Sequence, residues 1–443
     1  MTTAEQENSA TTVGALGGLR VLDLSRGVAA PFAARLLGDF GANVIKVEKP
    51  GGGDFARTLE PLQPGVGAPE QSLIFQYLNW NKRSVTLDLR KEQARPVFRR
   101  LVERSDIVVE SFKPGTLDRW GLGVDQLLAW NSDLVVTSVT NFGQTGPYRD
   151  YEASDLVFQA MAGIMQISGR VDREPLKHGL RQSLYCAGLN AAYATMAAYI
   201  AVAAEGGGEH VDLSIHECLA SELVMNLPYY AFAGAIQGRR AVVQDPFGGE
   251  PLPAAKGYLS IQTGGGAPFA TYADFFKRPE FLEPQFVTPG ERTKHVDEVR
   301  AILQECLADK DAHEVFIRGA EQRLLMGVVQ GASDLLACEH LAARGFFVDV
   351  DHPDTGPHRF PGEIARLSTT PFRSSAQIAA TGRALRRGPA RRCWSQRFRY
   401  RSAQSYRRHL RGQCSWQTPA LHSTACACST CPTFSPCRIW VGY

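Results

Sequence analysis

Across the 443 residues, the side chains able to do chemistry are scattered rather than gathered into one compact motif. Two glycine triplets, Gly51-Gly52-Gly53 and Gly264-Gly265-Gly266, could bring backbone N–H groups against an anion or a thioester oxygen. A bare triplet of this kind is more often an ordinary loop. Lys49, Arg83, Arg90 and Arg119 fall near expected strand ends or helix starts, where phosphate groups are held. A lone surface arginine is usually only solvated, so none of the four carries weight by itself. His178 and His216 are acid–base candidates by residue type, but no paired carboxylate pattern accompanies them. Cys186 stands among Ala and Tyr, where a cysteine is more often a small core residue than a nucleophile. The body of the chain has no metal-ligand spacing, no G-x-S-x-G and no P-loop.

The elements that must position these groups begin at residues 19–54. Leu19, Val21, Leu22 and Leu24 make a short apolar run ending in Ser25 and Arg26, the pattern of a buried parallel strand. Pro31 suits the first turn of a helix. Phe32, Ala33, Leu36 and Leu37 then repeat at helical spacing, with Gly38 and Gly41 at the exit. Val44, Ile45 and Val47 supply a second strand. Such a βαβ unit is a cradle of nucleotide size. Its first turn, Ser25-Arg26-Gly27-Val28-Ala29-Ala30, lacks G-x-G-x-x-G, which argues against a bound NAD and for another nucleotide-bearing ligand.

The scheme repeats downstream. Strands are expected at Val85, Leu87 and Leu89, at Ile107 to residue 109, at 134–139 and from His210, with helices over 92–104 and 184–203. The second of these helices reads as buried rather than surface-lying. Strands alternating with helices, each ending in a Gly, Pro or Asn loop, define an α/β fold with a doubly wound parallel sheet. Ligands of such sheets bind at the carboxyl ends of the strands. Between about 224 and 238 the pattern thins into a linker. A smaller α/β domain follows, with a strand at 258–262 and helices at 269–276, 294–308 and 335–343. The organisation expected is a lead-in at 1–15, a large domain at 16–225, a small domain with linkers at 226–330, a return to the large domain at 331–373 and an atypical tail at 374–443.

With 44% apolar and 21% charged residues, the composition is that of a globular protein. No run of about 18 uninterrupted apolar residues occurs, so no membrane span is expected, and the polar, acidic residues 1–12 do not read as a signal peptide. The net charge of +3 conceals an asymmetry: no acid follows Glu363, whereas fourteen arginines do, leaving 34 basic against 45 acidic side chains in residues 1–363. Cys186, Cys218, Cys306 and Cys338 are spread through the body, as in a reducing cytoplasm, and the other six fall between Cys393 and Cys437.

Several long segments in order then carry a resemblance. Leu22-Asp23 through Gly41-Ala42-Asn43-Val44-Ile45-Lys46-Val47-Glu48, Asn81-Lys82-Arg83-Ser84, Pro114-Gly115-Thr116-Leu117-Asp118-Arg119-Trp120-Gly121, and Gly143-Gln144-Thr145-Gly146-Pro147 resemble the family III CoA-transferases. Ala343-Arg344-Gly345-Phe346-Phe347 and Asp351-His352-Pro353 continue the likeness, which spans residues 18–371. It implies a large Rossmann-like domain and a small domain, in an interlocked homodimer. The implied activity moves CoA from an acyl-CoA to a free carboxylic acid: an Asp carboxylate attacks the thioester, giving a mixed anhydride and then an aspartyl-CoA thioester. CoA is thus a substrate, with no permanently bound cofactor and no metal. By match to the family pattern, CoA would lie along Val28, Ala29, Lys49, Leu87, Arg90, Phe112 and Arg119. Gly264, Gly265 and Gly266 would form the mobile loop over the reacting thioester.

The departure from the pattern is at the nucleophile. Counting back from Gly188, the Asp position holds Leu184, and Asp172 and Glu174 lie too far upstream to match. Leucine has no lone pair and cannot form an anhydride. The racemase branch needs a His before the Asp of the Asp-Leu-Val segment; here Ser154 precedes Asp155. The expectations are therefore a CoA-transferase chain acting alone or with an Asp-bearing relative, a non-catalytic CoA-thioester-binding protein, or an acyl-CoA racemase or isomerase. Partners are acyl-CoA, a carboxylic acid and a second chain, like or unlike, without nucleic acid or membrane.

From about Ser374 the family pattern stops. Cys426-x-Cys428-x-x-Cys431 with Cys437 could be read as a zinc knuckle and the arginines as a nucleic-acid arm, but no helical or strand periodicity supports either. The tail reads instead as out-of-frame or truncated sequence, disordered and dispensable.

Overall fold

The computed structural model describes residues 14–371, apart from 242–243, 249, 264–266 and 353–354. The readings made for the lead-in, for the tail beyond 374 and for the glycine run 264–266 lie outside the described residues.

The first two hundred described residues build one sheet. In chain order they form β1 (Arg20–Asp23), α1 (Ala29–Asp39), β2 (Asn43–Glu48), α2 (Leu73–Asn79), β3 (Lys82–Thr86), α3 (Arg95–Val102), β4 (Ile107–Glu110), α4 (Thr116–Arg119), α5 (Val124–Trp130), β5 (Val135–Thr140), α6 (Asp155–Met161), α7 (Ile164–Ile167), α8 (Gln182–Glu205) and β6 (Glu209–Ser214). All six strands are parallel, in the order β3-β2-β1-β4-β5-β6. The order reverses between β1 and β4, and a doubly wound sheet opens its ligand crevice at that switch point.

Both faces of the sheet are covered, which is why its strands read as continuous apolar runs. Val21, Val44, Ile107, Val109 and Val135 face one core, shared with α1 and α8. Their neighbours Leu22, Ile45, Val108 and Val136 face a second core with Phe98, Leu117 and Leu127. That period of two is the strand pleat read out as burial.

Several expectations need correction. The third strand occupies 82–86 rather than 85–89, in register Val44↔Lys82 through Glu48↔Thr86. Its charged start looked like a loop, but Lys82 is fully buried against Asp23. The long helix α8 is only half a core helix: Ala187, Ala191 and Val202 are buried while Leu189, Tyr193 and Ile200 are exposed. It is long and apolar enough to span a bilayer by length and composition alone, yet it packs on α1, β5 and β6. The expected linker near 224–238 contains the helix Asn226–Ala233, none of whose residues is buried.

Beyond it, β7 (Leu252–Pro253), β8 (Tyr258–Gln262) and β9 (Leu325–Val328) form an antiparallel sheet, in which β9 had no sequence signal. The helices Phe269–Phe276, Val296–Leu307 and Ala312–Glu321 enclose a separate core around Leu259, Tyr272, Phe281 and Leu303. The helix expected at 335–343 is two short ones, Ala332–Ala337 and Glu339–Ala343, broken at Cys338. The hairpin of β10 (Phe347–His352) and β11 (Gly356–Pro361) then returns to the large sheet's helices. Val350 and Phe360 pack on Trp80, and Arg35 Nη2 donates to the Pro361 carbonyl at 3.1 Å.

Candidate active site

The loops that leave β1 and β4 diverge at the switch point, and between them lies a cleft of about 440 Å³. Val28, Ala29, Phe112, Arg119 and Leu184 all line it. A narrower cleft of about 170 Å³ adjoins it, lined by Lys49, Leu87 and Arg90. Arg26 and Phe112 belong to both. The seven candidate CoA contacts within the described residues therefore fall along one two-chambered crevice.

The partition between the chambers is a stacked pair. The Arg26 guanidinium lies 4.9 Å over the Phe112 ring, which packs edge-on against Trp120 at 5.2 Å. Behind it, the Phe112 N–H donates to Glu110 Oε2 at 2.7 Å. Burial pushes the Glu110 carboxyl up to about 7, against hydrogen bonds from Ser138 and Phe112 that act the other way.

The cations divide by chamber. Arg90 holds Asp88 through both ends of its guanidinium, at 2.8 Å each, and stays mostly exposed. Arg119 Nη2 donates to Thr116 Oγ1 at 2.8 Å. Arg26, Lys113 and Arg149 also line the larger chamber, and sequence reasoning missed all three. Each is a single cation on a loop, so spacing gave no signal. Arg83 does not join them: it bonds the Asn43 side chain near the amino ends of β2 and β3, away from the crevice.

Leu184 enters the cleft wall from the first turn of α8. That turn is held by Asp155, at the start of α6, whose Oδ1 accepts from the Ser183 N–H at 3.1 Å and from the Ser183 hydroxyl. Asp155 Oδ2 accepts from Gln159 Nε2 and Lys177 Nζ, both at 3.0 Å. Burial opposes its charge, but the bonds from Ser183, Lys177 and Gln159 outweigh it and keep the carboxyl below the usual range. Asp155 is ionised, yet its lone pairs are committed to four donors. It anchors α8 and is not a free nucleophile.

The other chemical candidates lie elsewhere. Cys186 and His178 line a separate cleft of about 570 Å³ behind the start of α8. Burial, reinforced by Glu222, pushes the Cys186 thiol up to about 12, so it is protonated at neutral pH. The His216 ring faces the Met161 carbonyl at 3.4 Å and the Phe142 ring at 5.6 Å. Among the described residues, no group of three or more His, Cys, Asp or Glu could hold a metal ion.

The fold is thus a doubly wound α/β sheet with a two-chambered crevice at its switch point, lined by cations and acids together. Residues 16–382 match the model of CoA-transferase family III, and the chain belongs to that family. It is 33% identical over 359 residues to the succinyl-CoA–D-citramalate CoA-transferase of Chloroflexus aurantiacus, covering 80% of this chain and 88% of that one. The alpha and beta subunits of the succinyl-CoA–L-malate CoA-transferase of Chloroflexus aurantiacus are each 31% identical. The alignments cover 81% and 82% of this chain, and 84% and 90% of the respective subunits. A solved CAIB/BAIF family protein from Brucella suis superposes with a TM-score of 0.75 at 30% identity, covering 84% of this chain and 99% of that one. The family's activity is transfer of CoA between carboxylic acids, with CoA thioesters as substrates.

Proposed function

We infer that this chain holds an acyl-CoA along the two-chambered crevice and takes part in CoA transfer as the subunit that lacks the covalent nucleophile. The nucleotide end lies over Lys49, Leu87 and Arg90, and the thioester end enters the larger chamber past Phe112 toward Val28, Ala29 and residue 184. Arg119 meets the phosphates between. The large domain, over 16–225 and 331–373, supplies the crevice from the first of these two segments.

The carrying observation is Leu184. It stands in the chamber wall where an Asp would displace the thiolate from the acyl carbon and form the mixed anhydride. Neither Asp155 nor Cys186 replaces it, for the reasons of bonding and protonation given above. An Asp-bearing relative in the same assembly supplies the missing carboxylate, an arrangement supported by the similarity to both subunits of a two-subunit transferase. The exposed apolar side chains on α8 and on the helix Asn226–Ala233 give the second chain a surface to cover. A dicarboxylic acid as acyl group or acceptor follows the succinyl group named in the relatives, with Arg26 the cation to meet its free carboxylate, since Lys113 and Arg149 pair with Glu152 and Asp150. The four described cysteines are free, in keeping with a cytoplasmic enzyme.

Leu184→Asp tests this reading. The wild-type chain, purified alone, should bind CoA by calorimetry and transfer none between succinyl-CoA and a dicarboxylic acid. Leu184→Asp should gain transfer and form a hydroxylamine-sensitive adduct. Absence of CoA binding by the wild type removes the site assignment altogether. Binding without gained transfer favours the second reading, a CoA-thioester-binding protein with no catalytic role.

A further inference from the structure

Behind the turn that follows β1 lies a set of buried charges that the transfer chemistry does not use. Lys46 and Asp23 are wholly inaccessible, and Lys82 and Asp54 nearly so. Removing two ammonium groups from water carries a large penalty that ion pairing only partly returns, and an apolar strand end would be at least as stable. The pattern of their bonds shows what they hold.

Lys46 Nζ lies 3.0 Å from Asp54 and 3.8 Å from Asp23, and donates to the Ser25 carbonyl at 2.8 Å. Lys82 Nζ donates to Asp23 at 2.8 Å, to Asn79 Oδ1 at 2.9 Å and to the Pro31 carbonyl at 2.8 Å. The two carboxylates then reach the same stretch of chain. Asp23 Oδ1 accepts the Ser25 N–H at 2.9 Å, and Asp54 Oδ1 accepts the Gly27 N–H at 2.9 Å. Four backbone groups between Ser25 and Pro31 are thus tied to four buried charges. This turn carries Arg26, Val28 and Ala29 into the crevice. Gly27 sits at φ +80° and a Cβ there would come within 2.7 Å of the Phe55 ring, so the turn cannot be stiffened by a larger residue.

We propose that Lys46 and Lys82 are positioning residues for the CoA-binding turn: paired with Asp54 and Asp23, they fix residues 25–31 in the shape that receives the thioester arm. This rests on the crevice being the CoA site. Burial opposes the charge on Lys46, but Asp23 and Asp54 outweigh it and raise its affinity for a proton. On Lys82 burial wins, with Lys46 adding to it against Asp23 and Asp54, and the ammonium is lowered to about 8. Asp39 of α1 also feels Lys82 and completes the set of charges around it.

The test uses the full chain and free CoA as probe. Asp23→Asn with Lys82→Met removes the pair without leaving a lone buried charge. It should keep a cooperative thermal transition and raise the CoA dissociation constant by about tenfold or more. Arg20→Met with Asp106→Asn removes an ion pair at the opposite, amino ends of β1 and β4, with no bond to residues 25–31, and should leave that constant unchanged. Equal weakening in both, or none in the first, overturns the proposal. The wild type gives a test free of folding artefacts: its CoA affinity should fall as pH rises through about 8, as the Lys82 ammonium is lost. Its melting temperature should not fall with it, because a lysine whose folded pKa is depressed loses no stability on deprotonation there. Affinity flat from pH 7 to 9 in the wild type counts against Lys82. A wild type that binds no CoA at any pH instead removes the functional reading beneath it.

Discussion

Glu110 shows how one residue at the crevice carries a measurable signature. It closes β4, is 4% exposed, and accepts the N–H of the Phe112 that divides the chambers. Burial raises its carboxyl from 4.5 to about 7. Between those values the folded chain keeps a proton that the unfolded chain has released. The stability this group contributes is therefore full below about 4.5 and is lost as pH climbs through 7. Asp39, raised to about 6 by burial, acts in the same direction. Glu110→Gln abolishes the titration while preserving the bond to Phe112. The variant should melt near the wild type at pH 5 and be more stable at pH 8, by about 3 kcal/mol at most. Thermal melts at the two pH values check it, and a difference independent of pH would exclude this account of Glu110.

At the scale of elements, the crevice depends on how closely α8 approaches α1. At Gly188 a Cβ would meet the Ala29 carbonyl oxygen at 2.6 Å and Phe32 at 3.0 Å. Backbone is the obstacle, so the helices must separate. Gly188→Ala should cost about 2 kcal/mol in chemical denaturation and weaken CoA binding, because the shift moves Leu184 and Ala29 apart. Unchanged affinity in a destabilised variant would mean that the chamber tolerates the movement. The alternation of apolar strands with helices was legible in the sequence, and so were the carboxyl-end loops, because buried parallel strands write themselves as Val, Ile and Leu runs. The start of β3 was not, since Asn81-Lys82-Arg83 is polar and Lys82 is paid for by Asp23, 59 positions away. β9 and the helix Asn226–Ala233 were likewise missed, one short and without alternation, the other apolar without an amphipathic face. The site was half legible. Lys49, Arg90 and Arg119 stood out by their position near strand ends and helix starts, and Leu87 and Phe112 came through family likeness, whereas Arg26, Lys113 and Arg149 are brought to the chamber only by the divergence of loops at the switch point.

The molecule as a whole presents a surface that a lone chain does not explain. Single exposed leucines are ordinary, but contiguous apolar patches mark interfaces. On α8, Leu189, Tyr193 and Ile200 repeat at helical spacing along the face turned from the sheet, with Tyr193 67% exposed. The helix Asn226–Ala233 adds Leu227, Tyr230 and Phe232, the last 91% exposed. A second chain covering these helices would also stand against the start of α8, where residue 184 meets the crevice. Assembly and chemistry would then be coupled. Tyr193→Glu with Ile200→Glu puts charge into the stripe while leaving the core residues Ala187, Ala191 and Val202 untouched. In sedimentation at micromolar concentration the wild type should run as a dimer, and the double variant as a monomer with its helical content retained. Introduced into a chain that also carries Leu184→Asp, the same pair should abolish the gained transfer while leaving CoA bound. A wild type that stays a monomer at that concentration both alone and with an Asp-bearing relative refutes the coupling. If the wild type alone is a monomer and dimerises only on addition of an Asp-bearing relative, the interface is heteromeric and the Leu184 chain is its non-nucleophilic half.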